Sequence, residues 1–331
     1  MATYKGINGF AVQSVATDPS PLDEGQVWYN NATYAFKLAA VTTVGTWASG
    51  GSLNTTRWLL GGVGLQTAAL GFGGYDGGVL KNNTESYNGT SWTTVNTLDT
   101  ARAYLAGCGT QTAALGFMGT TSVPRSAVNT TTVSWNGTSW SPAANYNTAR
   151  YAAAAAGIQT AALGFGGDIF PGSSAATEEY DGTSWTSNPT GLNTARRFLA
   201  GCGTQTAALA FGGTSPITGA TESYNGSTWT SSPNSLNTAR NALTGAGTQT
   251  AALAFGGFLG PPGYSAATEL WNGTSWTSNP NSMATARGNS GGAGTQTAGL
   301  VFGGYTGTAV VANTEEFTGP GAPITQTITT S

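Results

Sequence analysis

The sequence has no histidine. That removes Ser-His-Asp and Cys-His nucleophilic machinery, because both need an imidazole as base. It has two cysteines, Cys108 and Cys202, which cannot make a zinc site with no histidine beside them. Charged residues are scarce, at 8 % against an ordinary ~25 %. Net charge is −3 with no basic run, which argues against a nucleic-acid partner. No phosphate loop of the G-x-x-x-x-G-K-[ST] form occurs. Long hydrophobic runs are missing too. The longest run of small apolar residues, Tyr151 to Ala156, is too short to span a bilayer, so no membrane insertion is expected. The opening Met-Ala-Thr-Tyr-Lys does not read as a secretory signal.

What is abundant is glycine, 50 of 331 residues, with ten Trp, twelve Tyr and twelve Phe. Hydrophobicity is too high and net charge too low for disorder. The residues also repeat. The block L-N-T-A-R-R-F-L-A-G-C-G-T-Q-T-A-A-L-A-F-G-G runs from Leu192 to Gly213, and A-T-E-S-Y-N-G-S-T-W follows from Ala220 to Trp229. Its arginine recurs at Arg57, Arg102, Arg150, Arg196, Arg240 and Arg287, spaced by 45, 48, 46, 44 and 47. Six copies at one period make a repeat architecture.

Each repeat reads as four short strands: a (Leu199 to Gly203), b (Thr206 to Gly213), c (Ala220 to Tyr224) and d (Ser227 to Ser231). Asn-Gly or Asp-Gly joins c to d at Asn88, Asn136, Asp181, Asn225 and Asn272. That dipeptide tolerates positive φ at both positions, as a two-residue hairpin turn requires. Four-stranded units at this period predict an all-β fold, a six-bladed β-propeller. Gly and Ala in strand a let six inner strands crowd one axis. Trp92, Trp140, Trp185, Trp229 and Trp276 anchor the d strands. The sixth repeat ends at Phe317 without a tryptophan, and Val41 to Trp47 reads as a d strand without its repeat. Trp47 is therefore expected to complete the last blade from the N-terminal side and remove an open edge.

Three segments result. Residues 1–40 form an N-terminal docking segment, with a turn at Asp18-Pro19-Ser20-Pro21 and a β-hairpin within Gly25 to Leu38; residues 41–317 form the propeller; residues 318–331 form a tail. Cys108 and Cys202 each lie six residues after their repeat arginine. Equivalent positions a third of a turn apart cannot bridge, so both are expected as free, buried thiols.

Paired glycines after an apolar strand, then Glu-x-Tyr, then Trp, resemble the kelch repeat over residues 45–317. Repeat two departs, with Met118-Gly119 for Gly-Gly and Val133 for Glu. The opening G-Q-V-W-Y-N…F-K-L, running into N-T-A-R-x-x-L-A-G-x-G-T-Q-T-A-A-L, is similar to kelch-type structural proteins of marine tailed bacteriophages. That likeness implies a non-enzymatic virion protein of the tail, fibre or particle surface. It implies other virion proteins as partners through residues 1–40, no cofactor, and no catalytic residue to carry over. Kelch propellers of the galactose oxidase type hold copper with His and Tyr, which this chain cannot do. Six-bladed sialidases use an arginine cluster, and Ser223 to Trp229 faintly resembles their Asp-box. Here, however, the arginines come one per repeat. Catalytic sites break symmetry, whereas structural roles repeat. These six are read as structural, pairing with Glu85, Glu178, Glu222, Glu269 and Glu315 or binding carbonyls.

Antiparallel strands put the b–c loops and d–a linkers on one face. The b–c loops vary: Tyr75 to Asn82, Thr120 to Val128, Asp168 to Ser174, Thr214 to Gly219, Phe258 to Ser265 and Tyr305 to Ala312. Variable loops on a rigid scaffold carry recognition. Tyr75, Phe170, Phe258, Tyr264 and Tyr305 lie in them and are candidates for stacking on a host surface glycan or anchoring a host protein. The alternative is that these rings pack on their own loops.

Overall fold

The computed structural model describes residues 12–20, 26–41, 44–122, 127–261, 263–320 and 323–328. Pro21 and Gly25 of the predicted turn and hairpin lie outside them, as do four residues of the second b–c loop and one of the fifth. Among the described residues there is no helix, and the strands form seven four-stranded sheets in an all-β, propeller-like repeat. Six sheets lie within 46–318; the seventh lies in a separate unit within 1–45 and 319–331.

In repeat four the strands are Ala200–Gly203, Ala208–Phe211, Thr221–Tyr224 and Trp229–Ser231, hydrogen-bonded in the order a-b-c-d. Burial explains the pattern. Strand b is buried on both faces, so it reads as an unbroken apolar run. Strand a alternates buried and half-buried residues. Strand d buries its tryptophan and exposes the next two residues.

The repeat positions hold neighbouring sheets together. The strand-b phenylalanine of one repeat meets the strand-d tryptophan of the next: Phe72 with Trp140, Phe117 with Trp185, Phe165 with Trp229, Phe211 with Trp276, all with centroids 4.7–4.9 Å apart. Each indole N–H donates to a threonine of the preceding sheet, as Trp140 does to Thr84 and Trp229 to Thr177 (both 2.9 Å). The repeat glutamine spans the same junction. Gln111 donates to the carbonyls of Ala69 and Tyr87, and Gln205 to those of Ala162 and Tyr180. Repeats six and one follow the rule: Phe302 packs on Trp92 at 4.6 Å, and Gln66 donates to Gly299 and Phe317.

The fourth strand of sheet six is Thr46–Gly50, with Trp47 opposite Phe317. It starts at Thr46 rather than Val41, because Val41 ends an earlier strand. The Trp47 indole donates to Thr268 (2.9 Å) and its ring lies on Phe255 (5.3 Å) and Phe317 (5.1 Å). Strand a of each repeat packs on strand a of the next, and that of repeat six on that of repeat one.

The c–d turns differ from expectation. Tyr87 pairs with Trp92, so four residues, not two, make the turn. Its positive-φ residue is Gly89 alone, at 89°. The Asn88 side chain accepts from the amides of Thr90 (3.0 Å) and Ser91 (2.9 Å), and this cap stands in for the second left-handed residue. The paired glycines have a clear cause: Gly212 sits at φ 66°, and a Cβ there would lie 2.7 Å from the Arg240 carbonyl oxygen. Met118 takes the same conformation, at φ 62°, in repeat two.

The other unit contains the hairpin β2 (Val27–Asn30) and β3 (Ala35–Val41). Strand β1 (Gln13–Val15) runs parallel to β2. Residues 323–327, read from the sequence as tail, form a strand antiparallel to β3.

Candidate functional site

The six repeat arginines are buried, at 0–2 % exposure. Five form ion pairs: Arg57–Glu85, Arg150–Glu178 and Arg196–Glu222 at 3.0 Å, Arg240–Glu269 at 2.7 Å and Arg287–Glu315 at 2.9 Å. The second carboxylate oxygen accepts from the backbone of the segment leading to the arginine, as Glu85 does from Asn54 (2.6 Å). Arg102 stands apart. Val133 occupies the carboxylate position, and Arg102 donates to the Thr131 carbonyl at 3.0 Å. Burial pushes Arg57 and Arg102 down to about 10. None of these guanidinium groups is at the surface, where a substrate carboxylate would need it.

Cys108 and Cys202 are free and buried, and burial pushes both thiols up to about 12. They are poor nucleophiles. Among the described residues no group of three His, Cys, Asp or Glu could hold a metal ion.

The varied chemistry lies where strand b ends and strand a begins. The residue after each arginine forms a β-bridge with the first residue of its b–c loop: Trp58 with Tyr75, Ala103 with Thr120, Tyr151 with Asp168, Arg197 with Thr214, Asn241 with Phe258 and Gly288 with Tyr305. Six identical bridges thus carry twelve residues of nine kinds. Around repeats five, six and one they make an aromatic row. Phe258 lies 5.1 Å from Tyr264, Tyr264 5.8 Å from Tyr305, Tyr305 4.9 Å from Trp58, and Trp58 6.3 Å from Tyr75. All five rings are half-buried. Burial raises the Tyr264 hydroxyl above its ordinary value. Beside the row, Asp76 pairs with Lys81 at 2.6 Å, and that hydrogen bond holds its carboxyl at about 2. At the junction of repeats three and four the same positions hold an ion pair, Arg197–Asp168.

The next residue of each repeat takes a left-handed backbone: Leu59, Tyr104, Ala152, Phe198, Ala242 and Asn289, with φ between 52° and 59°. Left-handed backbone at bulky residues is rare and strained. Here it aims each amide at its neighbour. Tyr104 donates to Leu59 (2.9 Å), Ala152 to Tyr104 (3.2 Å), and Phe198 to Ala152, Ala242 to Phe198, Asn289 to Ala242 and Leu59 to Asn289 (all 2.8 Å). These six residues rim a well of about 120 Å³. Tyr104 and Phe198 meet edge to face at 5.8 Å on one side, and Asn289 supplies a polar group to the rim. Deeper along the axis the lining is Gly62, Gly107, Ala155, Gly201, Gly245 and Gly292, which offer backbone and a methyl.

Of the candidates read from sequence, Tyr75, Phe258, Tyr264 and Tyr305 thus share one row. Phe170 lies in another loop and is 77 % exposed, beside Ile169 at 48 %. Trp58, Tyr104, Tyr151 and Phe198 escaped sequence reasoning, although a signal was present. They occupy the two positions after the arginine, where six otherwise similar repeats disagree. No protein-family model matches the chain, and no curated protein matches it.

Proposed function

We propose that this chain is a non-enzymatic virion structural protein of a tailed phage: a six-bladed, kelch-like propeller, closed by Thr46–Gly50, that presents its b–c face to a host surface glycan or protein. The phage assignment rests on the sequence likeness of the opening and the repeat. The count of six rests on the junctions. Every one is built from the same Phe–Trp, Trp–Thr and Gln–carbonyl contacts, repeat six meets repeat one through them, and the seventh sheet has none of the repeat residues. Residues 1–40 are read as the attachment to other virion proteins, which places the protein in the particle, with no cofactor and no membrane insertion.

One observation carries the recognition role. The repeats agree wherever side chains clamp sheets together, and disagree at the positions that surround the axis on one face. A row of aromatics with polar neighbours suits stacking on sugar rings or anchoring a protein loop. A sialidase-like reaction needs surface arginines, and the repeat arginines are buried.

Binding of the intact protein to host cells and to a glycan array tests this. The double variant Trp58→Ala, Tyr305→Ala is expected to lose binding at least about tenfold while keeping its melting profile, as loss of central interface aromatics does. A parent protein that binds neither cells nor glycans retires the recognition role. Cryo-electron microscopy of purified particles without this chain retires the virion role.

A further inference from the structure

Repeat two differs from the other five at one buried place. In those five a strand-c glutamate fills it. One carboxylate oxygen accepts from the repeat arginine at 2.7–3.0 Å. The other accepts from the backbone amide three residues before that arginine at 2.6–2.8 Å, as Glu85 does from Asn54. Two donors thus converge on one anionic group. In repeat two Val133 holds the position, opposite Gly116 as Glu85 is opposite Gly71. Its side chain packs among Leu98, Trp135 and Trp140 and offers no acceptor. Both donors remain in the sequence, as the Arg102 guanidinium and the Asp99 amide.

Arg102 is 2 % exposed, almost as buried as its five counterparts. Its side chain keeps one hydrogen bond, from Nη1 to the Thr131 carbonyl at 3.0 Å, and its Nε, like that of the other five, has no partner. Burial pushes Arg102 down to about 10 and the Asp99 charge opposes the shift, so the group stays cationic at neutral pH. Asp99 is itself exposed and supplies its negative charge from the solvent side. A cation withdrawn from water needs an opposite charge in contact with it. A guanidinium beside a backbone amide donates charge-assisted hydrogen bonds to such a group. The absent group is the size of a carboxylate and carries one negative charge. A doubly charged sulfate or phosphate exceeds it on both counts, whereas a halide does not. We propose that repeat two binds a small monovalent anion, chloride first, between the Arg102 guanidinium and the Asp99 amide, in the place that the other repeats give to a glutamate carboxylate. The site owes nothing to the recognition role of the b–c face.

Urea unfolding of the intact protein at constant ionic strength, with chloride exchanged for the much larger gluconate, reads this site. Above the dissociation constant, each tenfold rise in chloride should raise the folding equilibrium constant about tenfold, as a single site present only in the fold requires. Val133→Glu restores the carboxylate and Arg102→Met removes the cation. Both variants should fold without chloride dependence, and Val133→Glu should be more stable than the parent in gluconate. A parent indifferent to chloride overturns the proposal, because Asp99 and solvent then neutralise Arg102 unaided. A chloride dependence that persists in either variant overturns it as well, because the anion then acts elsewhere.

Discussion

Where the sheets of neighbouring repeats pack together, six copies of the sequence place the same side chains in the same contacts. On the face around the start of strand a, the same backbone carries Trp, Ala, Tyr, Arg, Asn and Gly at one position and Leu, Tyr, Ala, Phe, Ala and Asn at the next. Physical demand explains the contrast. A clamp must reach a carbonyl or an indole at a fixed distance, and few residue types can. A left-handed amide ring is satisfied by backbone alone, so the side chains above it are free to differ. Stability resides in the positions that agree, and specificity is free to reside in those that do not.

The contrast breaks most visibly at the fourth strand of sheet six. Removing residues 1–50 strips Thr46–Gly50 from sheet six, uncovers Phe255 and Phe317, and leaves the edge of Thr314–Thr318 unpaired. Open apolar edges recruit other chains. The shortened chain should aggregate well below the melting temperature of the full chain, as read by light scattering during a thermal ramp. Equal melting of the two chains would mean that this strand is dispensable.

Next in size is the arginine. Arg196→Ala leaves Glu222 buried without its cation, and breaking a buried pair costs about 3–5 kcal/mol. Replacing both partners, Arg196→Met with Glu222→Leu, should restore most of that loss, because two desolvated charges leave together. Urea unfolding measures both. Repeat two sharpens the comparison: Arg102 already lacks a carboxylate partner, so Arg102→Met should cost clearly less than Arg196→Ala. Equal costs would show that the ion pair adds nothing to the carbonyl contacts.

Much of this was legible in the residues. Period, strand count per repeat, the strand-d tryptophans and the pairing of Trp47 with Phe317 all follow from one repeated pattern of apolar, glycine and turn residues. The turn length was not legible, because Asn-Gly satisfies both a two-residue turn and a four-residue turn capped by Asn88; only the register of Tyr87 against Trp92 separates them. The strand at 323–327 was hidden by its proline and by the distance in sequence to its partner β3. Tyr75, Phe258, Tyr264 and Tyr305 were visible as loop aromatics. Their alignment was not, since Trp58, the ring that joins Tyr75 to Tyr305, sits in the d–a linker.

A smaller effect separates the two classes of position by pH. Burial raises Cys108 and Cys202 from 9.0 to about 12. Both keep their protons in the fold while the unfolded chain releases them. Their contribution is therefore complete below pH 9 and is lost as pH rises towards 12. The equivalent residues of the other repeats are Val63, Ala156, Ala246 and Ala293, so Cys108→Ala, Cys202→Ala should fold as well as the parent at neutral pH. Between pH 9 and 12 the variant should lose less stability than the parent. Parallel curves would mean that the thiols ionise freely in the fold.

The smallest effect belongs to the most exposed ring. Phe170 is 77 % exposed, and its amide is held by the Asp168 side chain at 2.7 Å, so the loop does not depend on the ring for its shape. Phe170→Ser should change the unfolding free energy obtained from urea by less than about 0.5 kcal/mol, the ordinary range for a surface change. If host binding falls while stability holds, the ring touches the ligand and the recognition surface reaches beyond the aromatic row into repeat three. If binding holds as well, the surface is confined to repeats five, six and one and the well beside them. A stability loss comparable to that of an arginine would mean that Phe170 is held by packing after all, and would place this loop with the clamps instead of the free face.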